Sequence, residues 1–211
     1  MTSVEGHISV SKALRFREFQ HGEHVEQIVY VLHGYGQLAE FFIRKFVQEP
    51  LNNTLIVAPE GMHRFYLQGS SGRVGASWMT KEWRKQDIQE NIGALNQLYA
   101  HFNTLHPKAK VIVLGFSQGG ATAARWVATG QISCSHFISW ASVFPPDLDS
   151  DIMHNLKMRC SFCLGNEDPY FNQEDAEKTI DFYRNLSFDV NTYIGKHDIE
   201  PSLLAKLLQH E

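Results

Sequence analysis

A serine between two glycines, in the stretch GFSQGG, is the feature of this sequence most typical of covalent catalysis. Ser117 lies between Gly115 and Gly119. A buried strand, KVIVL, is predicted just before it, and an alanine-rich helix starting at Gln118 just after it. So sharp a strand-to-helix turn strains the backbone and lifts the serine Oγ above the sheet, and side chains at the glycine positions would collide. Because the helix N-terminus also favours a developing anion, this context indicates a nucleophile and not a plain helix cap.

A serine nucleophile needs a base and a group that orients the base. His197, in YIGKHDIEPS, is predicted in the loop between the last strand and the last helix, and Asp168, in CLGNEDPY, follows the preceding strand. Both lie at the carboxyl edge of the predicted sheet, as Ser117 does. The order serine, aspartate, histidine is typical of α/β-hydrolases. Glu167 is the alternative acid, but as the neighbour of Asp168 it is expected to point elsewhere.

An oxyanion hole is predicted from the turn HGYG, which ends an earlier strand, YVL. Its glycines let backbone N–H groups face the site, so the expected donors are the amides of Tyr35 and Gln118. His33 begins this turn and is an alternative base. A histidine at the end of a buried strand more often supports the adjoining loop through hydrogen bonds, and that is the role we expect for His33.

Residues 60–79 form a connection that is long for an α/β domain, and long loops are usually functional. Its Arg73 is a cation that could meet an anionic part of the substrate, and its Trp78 is an aromatic candidate for the substrate pocket. Phe144 and Tyr170 are further candidates for the pocket wall. The alternative is a surface loop that packs on itself and contacts no ligand.

The elements that must position these residues alternate along the chain between apolar strands and amphipathic helices, which predicts an α/β fold with a mostly parallel sheet. A helix is expected over residues 81–105 with Thr80 as its N-cap, and others start at Gln118, near Asn172 and near Pro201. One or two antiparallel edge strands are expected within residues 6–20. With no linker or repeat, residues 1–211 are predicted to form a single domain.

Composition excludes several other classes of protein. The formal charge is −4 without a basic stripe, which argues against nucleic acid as a partner. No apolar run approaches a membrane span or a signal-peptide core, so a cytoplasmic location without membrane insertion is expected. Cys160 and Cys163 are predicted to be buried apolar side chains on opposite faces of a strand. The acidic run DLDSD lacks the glycine and glutamate of a calcium loop, and no metal site or cofactor is predicted.

The motifs HGYG, GFSQGG, GNEDPY and GKHDI together resemble the phospholipase/carboxylesterase family of small α/β-hydrolases, which includes acyl-protein thioesterases and bacterial carboxylesterases. The resemblance covers residues 27–210 and implies a serine esterase with the triad and oxyanion hole given above. Two departures concern the rim of the site: Phe171 and Asn172 replace a Val-Pro pair that the family often has, and Lys196 replaces a frequent glycine.

The functional prediction is a serine hydrolase of carboxylic esters or thioesters that acts on small, soluble acyl substrates through an acyl-enzyme. One alternative is an acyl-protein thioesterase or lysophospholipase that prefers long acyl chains. Another is a binding protein that uses a hydrolase scaffold without catalysis, because a fold alone does not establish an activity. The oligomeric state does not follow from the sequence.

Overall fold

A seven-stranded sheet is the centre of the computed structural model, which describes residues 3–48, 51–129 and 131–209. The strands of the sheet are β1 (Phe16–His21), β2 (Gln27–Leu32), β3 (Thr54–Pro59), β6 (Lys110–Phe116), β7 (His136–Trp140), β8 (Arg159–Gly165) and β9 (Asp189–Tyr193). Their order is β1-β3-β2-β6-β7-β8-β9. Only β1 is antiparallel to its neighbour, which confirms an edge strand near the N-terminus and a mostly parallel sheet.

The inner strands are buried along nearly their whole length because both faces of the sheet are covered. Every residue of β2 and β3 is buried, and so is all of β6 after Lys110. The helices are α1 (Ala39–Phe42), α2 (Arg44–Val47), α3 (Arg84–Leu105), α4 (Gln118–Ala128), α5 (Asp151–Asn155), α6 (Gln173–Asn185) and α7 (Pro201–Gln209). None of these helices is long and apolar enough to cross a bilayer.

The start of α3 differs from the expectation. The helix begins at Arg84, preceded by Trp83 in a left-handed conformation with φ 52°, and the expected N-cap, Thr80, lies one turn outside it. The Thr80 amide instead donates to Oδ2 of Asp87 at 3.2 Å, and its hydroxyl donates to the Glu82 carbonyl. Asp87, in the first turn of the helix, thus holds the segment that precedes the helix by accepting a hydrogen bond from it. For α6 the expectation is met, because the side chain of Asn172 accepts from the Asp175 amide.

The long connection over residues 60–79 is a β-hairpin. Its strands β4 (His63–Tyr66) and β5 (Val74–Ser77) pair antiparallel and form a separate two-stranded sheet. Two backbone hydrogen bonds join β5 to the HGYG turn: the Gly36 amide donates to the Ala76 carbonyl at 2.8 Å, and the Ala76 amide donates to the Gln37 carbonyl at 3.1 Å. The hairpin therefore packs beside the turn that follows β2.

Candidate active site

The turn at Ser117 has the strained geometry that its flanking glycines predict. Ser117 has φ 54° and ψ −121°, a conformation that is costly for a residue with a side chain. A Cβ at Gly115 would lie 2.4 Å from the Gly119 carbonyl oxygen, and one at Gly119 would lie 2.2 Å from the Leu32 carbonyl oxygen. The Ser117 amide donates to the Trp140 carbonyl at 2.8 Å, which fixes the turn to β7. Only glycines allow so close an approach of β2, β6 and α4.

Asp168 and His197 form a buried hydrogen-bonded pair. Nδ1 of His197 lies 2.7 Å from Oδ2 of Asp168, whose side chain has no solvent exposure. The other oxygen, Oδ1, accepts from the Tyr170 amide at 3.0 Å, so the carboxylate is held at both ends. Glu167 is exposed, and its amide donates to the Gly195 carbonyl. Of the two candidate acids, the structure therefore brings Asp168 to the histidine.

The ring of His197 lies between two aromatic rings. Its centroid is 4.7 Å from that of Phe116 and 4.5 Å from that of Tyr170. These contacts restrict the ring to one orientation and leave 17% of the side chain exposed. Ser117, His197, Tyr170 and Val143 line one cleft of about 270 Å³ at the carboxyl edge of the sheet.

The HGYG turn lies directly against Ser117. A Cβ at Gly34 would be 3.2 Å from the Cβ of Ser117. The Gly34 amide donates to Oε1 of Gln37, which closes the turn. The side chain of Tyr35 points to solvent and packs on Phe65 at 5.1 Å between ring centroids. The turn thus brings Gly34, the residue before Tyr35, against Ser117, while the side chain of Tyr35 lies outside the cleft.

Gln118 has a side-chain role that the sequence did not predict. Its Oε1 accepts from the Trp78 amide at 3.1 Å, and its Nε2 donates to the Met79 carbonyl at 3.0 Å and to Oγ of Ser77 at 3.1 Å. The first residue of α4 therefore holds the end of the hairpin against the turn at Ser117. A long polar side chain at the start of a helix that is otherwise rich in glycine and alanine is the only sequence signal for this contact.

His33 supports the turn, as expected, and does not face the cleft. It is fully buried, its Nδ1 lies 2.7 Å from the Gly34 carbonyl oxygen, and its Nε2 accepts from the Gly61 amide at 2.9 Å. An Nδ1–H tautomer satisfies both contacts. Burial lowers the pKa of this imidazole, so the ring is neutral where it supports the turn.

The four residues expected to contact substrate lie in different places. Tyr170 lines the cleft with Ser117, whereas Phe144 lies in an adjoining cleft and packs on Phe182. Trp78 was expected to line the substrate pocket, but it is fully buried. Its Nε1 donates to the His33 carbonyl at 2.8 Å, so it belongs to the core beneath the turn. Arg73 lines a separate cleft between the hairpin and α1.

The acidic run and the cysteines, which were not assigned to a metal site, have structural roles. Asp147, in the acidic run, forms an ion pair with the buried Arg125, which lowers the pKa of its carboxyl to about 2. Cys160 and Cys163 are free thiols, and burial raises the pKa of both, that of Cys160 to about 12. Within residues 3–48, 51–129 and 131–209, no three histidine, cysteine or acidic side chains cluster as metal ligands would.

The fold and the turn at Ser117 define an α/β-hydrolase. A family model described as phospholipase/carboxylesterase matches residues 19–210, and the chain belongs to that family. The solved structures that resemble it include acyl-protein thioesterase 2 of Zea mays, with a TM-score of 0.71 at 16% identity over 92% of this chain and 96% of that one. A carboxylesterase of Mesorhizobium loti has a TM-score of 0.70 at 13% identity over 94% of this chain and 95% of that one.

Esterase PE8 is a third such structure, with a TM-score of 0.67 at 18% identity over 93% of this chain and 96% of the esterase. At identities this low, these three likenesses establish the shared fold and not a shared substrate. A comparison with curated proteins gave no match. Membership of the family makes the chain a member of the hydrolase class of enzymes.

Proposed function

We propose that this protein is a serine hydrolase that cleaves carboxylic esters, and thioesters by the same steps, of small soluble acyl substrates. The observation that carries the proposal is the 2.7 Å contact between Asp168 and His197, made in the loop that borders the cleft of Ser117. A strained serine, an oriented imidazole and a buried carboxylate on one sheet edge are the parts that acyl transfer requires.

In the proposed reaction, Ser117 Oγ attacks the substrate carbonyl while Nε2 of His197 accepts its proton. The amides of Tyr35 and Gln118 stabilise the oxyanion of the tetrahedral intermediate. Asp168 keeps the other imidazole proton on Nδ1 and stabilises the imidazolium. His197 then returns the proton to the leaving alcohol or thiol, which leaves Ser117 acylated. Water, activated by the same imidazole, adds to the acyl group and releases the acid with free Ser117.

The shape of the site favours small soluble substrates. The hairpin is hydrogen-bonded to the HGYG turn and is therefore held to one side of Ser117. Between Ser117 and Asp168 the described chain contains α4, β7, α5 and β8, and no lid follows α4. A substrate can therefore reach Ser117 from water without a conformational opening.

One observation favours the long-chain alternative. The cleft at Ser117 shares Val143 with two further clefts that follow the loop after β7 towards Phe182 on α6. Val143 and Phe182 are exposed at 61% and 40%, so this path offers an apolar surface along which an extended acyl chain could lie. An acyl-protein thioesterase or lysophospholipase activity would use that path.

A fluorophosphonate probe and a series of acyl esters test the proposal together. The probe should label the protein at Ser117, and Ser117→Ala should abolish the label. Hydrolysis should be fastest for chains of two to about eight carbons, with a thioester of matched chain cleaved by the same site. A rate that climbs steadily to sixteen carbons would establish the long-chain alternative. The absence of both labelling and turnover would indicate a binding protein on a hydrolase scaffold.

A further inference from the structure

The hairpin cleft is a second cavity, of about 540 Å³, between the hairpin and α1. We use this name for the cavity whose apolar floor includes Leu38, Phe42 and Val74 and whose polar rim includes Lys45 and Arg73. Phe42 is buried, and Leu38 and Val74 are half-buried. The cleft thus combines an apolar floor with two cations, and it shares no lining residue with the cleft of Ser117.

Two connections place the hairpin cleft beside the reaction centre. Gly36, which lines it, follows Tyr35, the proposed oxyanion donor. On the other side, Nζ of Lys45 lies 2.5 Å from Oδ1 of Asp198, the residue after His197. The cleft therefore lies near both the proposed oxyanion donor and the loop of the proposed base.

Arg73 differs from every other arginine of the described chain. The others, at positions 15, 17, 44, 64, 84, 125, 159 and 184, each have a carboxylate oxygen within 4.0 Å. Arg73 has no such partner within residues 3–48, 51–129 and 131–209, although its carbonyl is fixed by the Leu67 amide at 2.8 Å. Since Asp198 balances the charge of Lys45, the hairpin cleft keeps one positive charge without a counter-charge.

We propose that the hairpin cleft binds the part of the substrate that carries a carboxylate, so that the enzyme prefers esters with an anionic group on a short apolar chain. The inference rests on the proposed ester hydrolysis at Ser117. The apolar floor accommodates the methylene groups, and the guanidinium of Arg73 offers the planar fork that matches a carboxylate. Lys45 lines the same cleft, but its charge is balanced by Asp198, so Arg73 provides the unpaired positive charge.

Matched ester pairs test this inference, with acid release followed by pH-stat. Monomethyl adipate and methyl hexanoate differ by a carboxylate on the acyl half, and 4-acetoxybutanoate and butyl acetate differ by one on the alcohol half. The quantity measured is the ratio of kcat/KM for the anionic ester to that for the neutral ester. We expect a ratio of about five in one of the two pairs, the range of a partly exposed ion pair, and a lower ratio in 0.5 M salt.

Arg73→Gln should reduce that ratio to about one through a higher KM for the anionic ester, and Arg73→Glu should invert it. The control is Arg184→Gln, an exposed arginine of α6, which should leave the ratio unchanged. A neutral preference in both pairs, or an anionic preference that survives Arg73→Gln, would overturn the inference. Hydrolysis of the neutral esters and its loss in Ser117→Ala test the proposed function separately.

Discussion

Nδ1 of His197 lies 2.7 Å from Oδ2 of Asp168, and the second oxygen of that carboxylate accepts the Tyr170 amide. The two contacts hold the acid and the imidazole in one arrangement, because neither can rotate without losing a hydrogen bond. Tyr170 also packs on the other partner, with 4.5 Å between its ring and that of His197. Tyr170, two residues after Asp168, therefore positions both the carboxylate and the imidazole.

Removal of the Ser117 hydroxyl should abolish turnover. Ser117→Ala is expected to lower kcat for p-nitrophenyl butyrate by roughly three orders of magnitude or more, because no acyl-enzyme can form. The fold should persist, since α4 and the flanking glycines do not depend on the oxygen. Ser202→Ala, at an exposed position on α7, is the matched control and should keep the wild-type rate. Comparable rates in the two variants would exclude Ser117 as the nucleophile.

Replacement of Asp168 by asparagine tests whether Asp168 is the acid that orients His197. Asp168→Asn should lower kcat by about a thousandfold or more, because the amide would hold the wrong tautomer of His197. Thermal unfolding should show that the variant remains folded. Glu167→Gln is the control, since Glu167 is exposed and contributes only its backbone amide to the site. Loss of activity in Glu167→Gln alone would reverse the assignment of the acid.

The side chain of Gln118 should matter for stability and for rate. In Gln118→Ala, the buried Trp78 amide loses its acceptor, and we expect the free energy of unfolding to fall by about 1–3 kcal/mol. The hairpin is also hydrogen-bonded to the HGYG turn, so a small displacement of the proposed oxyanion donors should lower kcat by about ten- to a hundredfold. Urea unfolding and ester turnover measure the two effects.

Gln86→Ala, at a half-buried position of α3, removes a glutamine whose side chain donates to Glu90, and it should change neither quantity. If Gln118→Ala matches this control in both measurements, the contacts to Ser77, Trp78 and Met79 do not support the site.

Burial of His33 predicts how stability depends on pH. Its folded pKa lies below the ordinary value of about 6.5, so the unfolded chain takes up a proton first as the pH falls. The stabilisation is therefore fully present above about pH 6.5 and is lost as the pH falls towards the lowered folded pKa. His136, whose pKa is lowered by burial to about 4, acts in the same direction.

Each histidine contributes up to about 1.4 kcal/mol per pH unit in that range. Urea unfolding between pH 7 and pH 5 should show this slope of the unfolding free energy against pH. In His33→Gln the slope should be smaller by the contribution of one proton, up to about 1.4 kcal/mol per pH unit. His154→Gln, at an exposed position, should leave the slope unchanged. A slope that is the same in His33→Gln as in the wild type would show that His33 titrates normally in the folded protein.

The sequence predicted that the candidate site residues would follow strands at one edge of the sheet, because the carboxyl ends of parallel strands share that edge. Ser117 follows β6, Asp168 follows β8 and His197 follows β9, so their meeting depends only on strand order. Strain at Ser117 was also predictable, since the glycines at positions 115 and 119 are required by the close approach of backbone atoms.

Side-chain orientation in the hairpin was not predictable in this way. Trp78 has an aromatic side chain suited equally to a substrate pocket and to a core, and only its hydrogen bond to the His33 carbonyl determines that it lies in the core. The same limit applies to Thr80, a good N-cap by residue type. The helix starts four residues later because Trp83 adopts a left-handed conformation that no local pattern predicts.

The reaction rate should not depend on substrate aggregation, because the hairpin is attached beside the cleft. An enzyme shows interfacial activation when a cover must move away at a lipid surface before substrate can enter. Here the segment that could provide such a cover is fixed beside the cleft by the hydrogen bonds of Ala76 to the HGYG turn and by those of Gln118 to residues 77–79. A Cβ at Gly75 would lie 2.5 Å from the Gly36 carbonyl oxygen, so the hairpin and the turn are in direct backbone contact.

The site should therefore be open in solution, and the rate should follow dissolved substrate alone. We expect the rate for a sparingly soluble ester of medium chain length to saturate smoothly through its solubility limit. Butyl acetate, which dissolves fully over the working range, is the reference substrate and should give a curve of the same form. An abrupt rise in rate when aggregates or micelles of the sparingly soluble ester appear would contradict the prediction, because it would require a segment near Ser117 that moves at an interface.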